Sequence, residues 1–263
     1  GINGINIVAI AQGSSELNIS VVIPSKNEQK ALNAIHESFF LSDTKSIHVY
    51  IVGTGLIGNT LLTQLQKQKN YLKEKLALNI KIIGIANSRK MGFDIEGIDL
   101  ENWQSFIDSS PVQNLNSFVQ TMKSHNLPNT IFIDNTANSE VAAYYEEILN
   151  SSISISTPNK IALSSEYKNY QQLKKVANKR GVQFLYETTV GAGLPVISTL
   201  KDLIISGDKI LKIEGVLSGS LSYIFNNFND NASFYDILID AKKLGLTEPD
   251  PRLDLNGTDV QRK

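Results

Sequence analysis

The 263-residue chain contains no cysteine, which removes a disulfide framework, a thiolate metal centre and a cysteine nucleophile at once. Its only histidines, His36, His48 and His125, are too scattered for a three-histidine zinc site at helical spacing. No apolar run approaches the roughly 18 residues of a spanning helix, and no signal peptide is read at its start. Lys+Arg number 25 against 26 Asp+Glu, a formal net charge of −1 that excludes a strongly basic nucleic-acid binder. What is present is 41% apolar residues, enough for one or two buried cores. The expectation is a soluble, cytoplasmic α/β protein that handles a small molecule, with neither nucleic acid nor membrane as partner.

Near the amino end, Ile5–Ile10 and Ile19–Ile23 read as strands around the turn Gly13-Ser14-Ser15-Glu16. A helix is expected over Glu28–Phe40, with Ala31, Leu32, Ile35 and Phe39 at helical spacing. A unit of about 40 residues holds no core alone. At the other end, Asn256–Lys263 reads as the first turns of a helix. Both ends suggest a piece of a longer protein.

From Ser46 onward strands and helices alternate. Strands are expected at Ile47–Val52, Ile80–Ala86, Thr130–Asp134, Ile153–Ser156 and Gln183–Tyr186. Helices are expected from Leu56 to Leu65 or beyond, over Leu115–His125, from a Ser139 cap through Leu149, and over Ser164–Arg180. The stretch Met91–Asn114 reads as irregular. Such alternation builds a parallel sheet covered on both faces, with ligands at the carboxyl ends of its strands.

Directly after the first of these strands stands Gly53-Thr54-Gly55-Leu56-Ile57-Gly58, a G-x-G-x-x-G pattern. Gly53 permits the tight turn, Gly55 lets a pyrophosphate approach the backbone, and Gly58 lets helix and strand pack closely. A tight turn without a ligand is the alternative. The second strand closes at Ala86, and no acid follows in Asn87-Ser88-Arg89-Lys90. Arg89, helped by Ser88 and Lys90, could pair with a ribose 2′-phosphate, which favours NADP and leaves NAD open. The alternative is a pair of solvated loop charges.

Beyond residue 187 a helix is expected over Leu194–Ser206, a strand over Ile210–Val216, and helices over Leu221–Phe228 and from Ser233 to Leu244. Then Glu248, Asp250, Asp254 and Asp259 place four carboxylates in twelve residues, ahead of Lys263. Pro249 and Pro251 stiffen that path, and an Asn256 cap would set Asp259 and Lys263 on one helix face. By spacing alone this is also an ordinary prolyl loop with a helix ion pair.

Taken together, Gly53–Gly58, Asn135-Thr136-Ala137, Thr157-Pro158-Asn159-Lys160, Tyr186–Pro195, Gly215–Ile224 and Ala241–Lys263 resemble homoserine dehydrogenase. The opening residues, with Gln12-Gly13-Ser14-Ser15-Glu16, resemble the closing part of an aspartate kinase's ACT regulatory region. Their fusion resembles the bifunctional aspartokinase–homoserine dehydrogenases. The resemblance implies a short ACT-like β-β-α piece over 1–44 and a Rossmann-type doubly wound NAD(P)-binding domain over 45–186. A truncated α+β substrate domain would follow over 187–263.

The implied reaction is NAD(P)H-dependent interconversion of aspartate 4-semialdehyde and homoserine, in threonine and methionine biosynthesis. By that resemblance Lys263 is the proton donor and Lys160 a second cation beside the nicotinamide. Glu248 and Asp259 hold the substrate ammonium with Asp254 in support, and Gly219 and Ser220 lie where the substrate loop approaches the cofactor. Thr136 and Ala137 border the nicotinamide ribose. Main-chain oxygens of Glu187, Val190, Ala192 and Leu194 are implied ligands for sodium or potassium. The resemblance also implies a dimer or tetramer in the full-length parent, and weak activity for this stretch alone. The competing class is an inert nucleotide-sensing module of dehydrogenase-like fold.

Overall fold

The computed structural model describes residues 4–14, 17–39, 44–229, 233–247 and 250–262. Two short strands, β1 (Ala9–Gln12) and β2 (Ile19–Val22), pair antiparallel and stay exposed along their length. They lead through a 3₁₀ turn at Ser25–Asn27 into α1 (Glu28–Phe39). The main sheet follows with β3 (Lys45–Val52), α2 (Leu56–Leu76), β4 (Leu78–Ala86), β5 (Met91–Phe93), α3 (Trp103–Ser109), α4 (Leu115–His125) and β6 (Thr130–Asp134). It closes with α5 (Ser139–Ala142), α6 (Tyr145–Asn150), β7 (Ser154–Ser156), α7 (Tyr167–Arg180) and β8 (Phe184–Leu185).

Strand order is β5-β4-β3-β6-β7-β8, parallel throughout except for the antiparallel edge strand β5. The chain leaves β3 for β4 on one side and returns to β6 on the other. Strand order therefore reverses at the carboxyl ends of β3 and β6, where α/β sheets hold ligands. Successive residues of β3 face opposite layers. Val49 and Ile51 join Leu62, Ile82, Ile85, Ile98, Trp103 and Ile107 in one core. Tyr50 points the other way, into rings from Phe93, Phe118 and His125. Each fully buried Leu or Ile here contributes roughly 1.5–3 kcal/mol.

A second compact unit comprises Lys160–Tyr170 and Tyr186–Lys263, the first being Gly1–Asn159 with Gln171–Leu185. Its elements after a 3₁₀ turn at Glu187–Thr189 are α8 (Val196–Ile205), α9 (Gly219–Asn227), α10 (Phe234–Lys243), α11 (Arg252–Leu255) and α12 (Thr258–Gln261). Caps explain their starts. Ser218 accepts from the Leu221 amide, Ser233 from that of Asp236, and Asn256 from that of Thr258. Ile224, Ile237 and Ala241 form a small core between α9 and α10.

Several expectations need correction. The stretch after Met91 is not irregular: it contributes an edge strand and α3, whose Trp103 and Ile107 are buried. Residues 210–216 form no strand. They have no partner strand among the described residues, and Leu211 is 94% exposed, so an alternating pattern finds no ladder to join. The helix expected from Ser139 to Leu149 is two short helices, the first capped by Asn138, and the break at Ala143–Tyr144 precedes a fully buried Tyr145.

Candidate functional site

The turn after β3 is tied to the strands on both sides of it. The Gly53 amide donates to the Ala86 carbonyl at 2.8 Å, and that of Asn135 to Val52 at the same distance. Gly53 has φ +94°, a left-handed conformation that side chains oppose. A Cβ on Gly53 would meet Thr136 Cγ2 at 2.8 Å, and one on Gly58 would meet the Gly53 carbonyl oxygen at 2.0 Å. Gly53 through Gly58 and Thr136 thus come together at the switch point, and Ala137 follows exposed. Around Gly55 nothing lies within 4 Å of a Cβ position, leaving open space at the start of α2. The first amides of α2 have no intrahelical acceptors, and the helix dipole adds positive potential there. The exposed apolar side chains of Leu56 and Ile57 stand at this same end. A glycine cradle with free amides and room for a phosphate fits a dinucleotide.

One side chain at this cradle was not singled out from the sequence. Asn135 Nδ2 is buried without a hydrogen-bond partner among the described residues, 3.4 Å from the Cβ position of Gly58. A buried orphan donor is costly unless a ligand meets it. Only its place within Asn135-Thr136-Ala137 could have drawn attention to it.

The loop after β6 is held by a buried carboxylate. Asp134, fully buried, accepts from the Thr136 amide at 2.7 Å, the Tyr145 hydroxyl at 2.7 Å and Asn159 Nδ2 at 2.9 Å. Thr157 Oγ1 donates to the Asp134 carbonyl, and Asn159 donates onward to the Asn138 carbonyl. Burial and the neighbouring Asp134 charge push the Tyr145 phenol far above its ordinary range, so it stays protonated as a donor. This network fixes Thr136 and Asn159, the residues flanking two of the predicted site segments.

At the end of β4 the chain turns tightly, Asn87 Oδ1 accepting from the amides of Arg89 and Lys90. Arg89 is exposed, following Ala86 with no intervening acid. The Lys90 ammonium donates to the Ser110 carbonyl at 2.9 Å.

In the second unit, Lys160 is half-buried and opens a turn whose Leu163 and Ser164 amides donate to its carbonyl. Ser220 and Asp254 meet directly, the serine hydroxyl donating to the carboxylate at 2.5 Å with both residues buried. Ser218 Oγ lies 3.1 Å from Ser220 Oγ, and Gly219 between them is exposed. Glu248, Lys263 and the side chain of Asp259 lie outside the described residues. Asp250, beside them in sequence, is paired with Arg252, whose hydrogen bonds hold its carboxyl below the usual range.

Glu187 takes a role its sequence position did not signal. Its carboxylate accepts from the amides of Ile197 and Ser198 at 2.9 and 2.8 Å and so caps α8. The main-chain oxygens of Glu187 and Leu194 accept from Val190 and Val196 amides. Each keeps a second lone pair, as Val190 and Ala192 also offer carbonyls in this bend. No group of three or more acidic or histidine side chains suited to a metal occurs among the described residues.

Comparison with known proteins meets this geometry at the same places. Residues 53–187 match the family described as homoserine dehydrogenase, NAD binding domain, and 195–263 match homoserine dehydrogenase. The chain belongs to the homoserine dehydrogenase family. It carries that family's NAD-binding domain, and residues 1–39 match an ACT domain. A bifunctional aspartokinase/homoserine dehydrogenase 1 from Zea mays is 47% identical over 98% of this chain. The chain spans only 28% of that relative's length. A homoserine dehydrogenase from Schizosaccharomyces pombe is 41% identical over 83% of this chain and 60% of its own. A hyperthermophilic archaeal homoserine dehydrogenase solved with NADPH shares the fold, with TM-score 0.66 and 23% identity, over 83% of this chain and 67% of its own. No helix among the described residues is long and apolar enough to cross a membrane.

Proposed function

We propose that the protein containing this chain is an NADP-preferring homoserine dehydrogenase that reduces L-aspartate 4-semialdehyde to L-homoserine, in threonine and methionine biosynthesis. The observation that carries the reading is the glycine cradle abutting Thr136 at the switch point, in a chain of this family. The proposed division is an ACT-like piece over 1–44, a dinucleotide domain over 45–186 and a substrate domain over 187–263. The full-length protein also carries an aspartate kinase, as its bifunctional relatives do by name, and assembles as a dimer or tetramer. It works in the cytoplasm, although the plant relatives are named chloroplastic.

Gly53 through Gly58 would hold the pyrophosphate, Ala86 and Arg89 the adenosine ribose with its 2′-phosphate, and Thr136 and Ala137 the nicotinamide ribose. NADPH, when bound, would supply a hydride to the aldehyde carbon. Lys160 would stabilise the negative charge this leaves on the aldehyde oxygen, and Lys263 would deliver to that atom the proton that completes the alcohol. Glu248 and Asp259 hold the substrate ammonium through charge-assisted hydrogen bonds. Asp254 supports them by anchoring Ser220, and Gly219 lets the loop lie close to the substrate. A sodium or potassium ion on the main-chain oxygens of Glu187, Val190, Ala192 and Leu194 would stiffen the bend into α8.

The test is NADPH oxidation by the full-length protein with aspartate 4-semialdehyde against other aldehydes. Selective turnover of the semialdehyde, lost in Lys160→Met and Lys263→Met, supports the reading. Failure to oxidise homoserine in the reverse direction overturns it.

A further inference from the structure

At the opposite end of the sheet, the amino ends of β3, β6 and β7 border a cavity of about 220 Å³. Its lining includes Lys30 from α1, Lys45 from β3, and the polar residues Asn129, Thr130, Ser152 and Ser154. The eight residues of β3 separate it from the glycine cradle, about 26 Å along an extended strand. It is therefore not part of the nucleotide site.

Lys30 is the feature that needs explaining. It is 8% exposed, yet among the described residues its ammonium has the single acceptor Asn126 Oδ1, at 3.3 Å. Asn126 is itself tied to α1 by donating to the Lys26 carbonyl and Asn27 Oδ1. Among the described residues neither Lys30 nor Lys45 makes an ion pair, and the described lining holds no carboxylate. A buried ammonium with three N–H donors and one long amide contact is expensive to maintain. Burial lowers its pKa for the same reason. The Ser152 hydroxyl adds a further donor on this wall, and Ser154 Oγ, which accepts from the Gln183 amide, keeps its own proton to give.

We infer that this cavity is a binding site for a small dianion without an amine, a phosphoryl or dicarboxylate compound, clamped between Lys30 and Lys45. The charge pattern selects the class. Two ammonium groups and hydroxyl donors complement two negative charges, whereas the ammonium of an amino acid would find no carboxylate in the described lining. Lys30 belongs to the segment matching the ACT domain, and the remaining wall belongs to the dinucleotide sheet. A dianion there ties the two together, which makes it an effector of their docking and not a substrate.

The test is calorimetric titration of the full-length protein with inorganic phosphate, succinate and serine. Saturating NADPH keeps the glycine cradle filled. Phosphate or succinate should bind at a single additional site, each reporting one source of the shared chemistry, and serine should not. Lys45→Met, at an exposed position that leaves folding intact, should weaken binding about tenfold or more, and Lys30→Met should do the same. Neither change should alter NADPH affinity. Above neutral pH, binding should take up protons in the parent and less in Lys30→Met. Absence of binding by both dianions, equal binding of serine, or affinity indifferent to both lysine variants would overturn the assignment. None of these outcomes depends on catalysis, so the site stands or falls separately from the dehydrogenase reading.

Discussion

The Tyr145 hydroxyl donates to the Asp134 carboxylate at 2.7 Å, in the network that holds Thr136 and Asn159. Tyr145 and Asp134 are both fully buried, and the carboxylate also serves the Thr136 amide and the Asn159 side chain. Asp134→Ala removes the acceptor that three donors share. It should destabilise the fold by about 3 kcal/mol or more, and Tyr145→Phe by roughly 1–3 kcal/mol. Urea unfolding with unchanged m-values measures both. A loss below about 1 kcal/mol for Asp134→Ala would show that the network is not what holds Thr136 and Asn159.

The glycine cradle separates folding from binding. A Cβ at Gly58 would collide with the Gly53 carbonyl, so Gly58→Ala should cost roughly 1–3 kcal/mol of stability. Gly55 has open space around it, so Gly55→Val should fold like the parent. It should nevertheless weaken NADPH binding at least about tenfold, because the added side chain occupies the pyrophosphate approach. Fluorescence titration beside thermal melts reads both, and unchanged affinity in Gly55→Val would remove the cradle from the binding site.

In the proposed reading, cofactor preference rests on Arg89 in the turn after β4. Arg89→Ser should weaken NADPH binding about tenfold and leave NADH binding unchanged, the loss of one charge-assisted contact to the 2′-phosphate. Equal weakening of both nucleotides would place Arg89 elsewhere on the cofactor.

The Tyr50–His125 contact makes stability depend on pH. Nδ1 of His125 lies 2.8 Å from the Tyr50 hydroxyl, and burial lowers the histidine pKa from its ordinary 6.5. The unfolded chain therefore takes up this proton first as pH falls. The contribution is fully present above about pH 6.5 and is lost as pH drops toward the lower folded value. Unfolding free energy should fall more steeply between about pH 7.5 and 5 in the parent than in His125→Gln. Parallel profiles would contradict the assignment.

Much of the sheet was legible because its signals are local. Leu115–His125 and Thr130–Asp134 match their expected bounds, the helix carrying an Asn114 cap and the strand a short apolar run of Ile131, Phe132 and Ile133. The glycine turn announced itself by spacing. What escaped depends on distant partners. The three residues of β5 form a strand only because β4 is beside them, and residues 210–216 form none because no partner strand is among the described residues. The Asp134–Asn159 bond spans 25 positions, and the orphan Nδ2 of Asn135 is visible only once Gly58 packs against it. Of the predicted substrate residues, Ser220 and Asp254 are brought into contact, a pairing of residues 34 positions apart.

The most direct measurement follows the hydride itself. The full-length protein is supplied with NADPH deuterated at the transferable nicotinamide position and with aspartate 4-semialdehyde, and the product is examined by mass spectrometry and NMR. The account predicts homoserine carrying one deuterium on its hydroxyl-bearing carbon, formed in step with NADPH loss. Bound but unoxidised NADPH, or homoserine without the label, would contradict it.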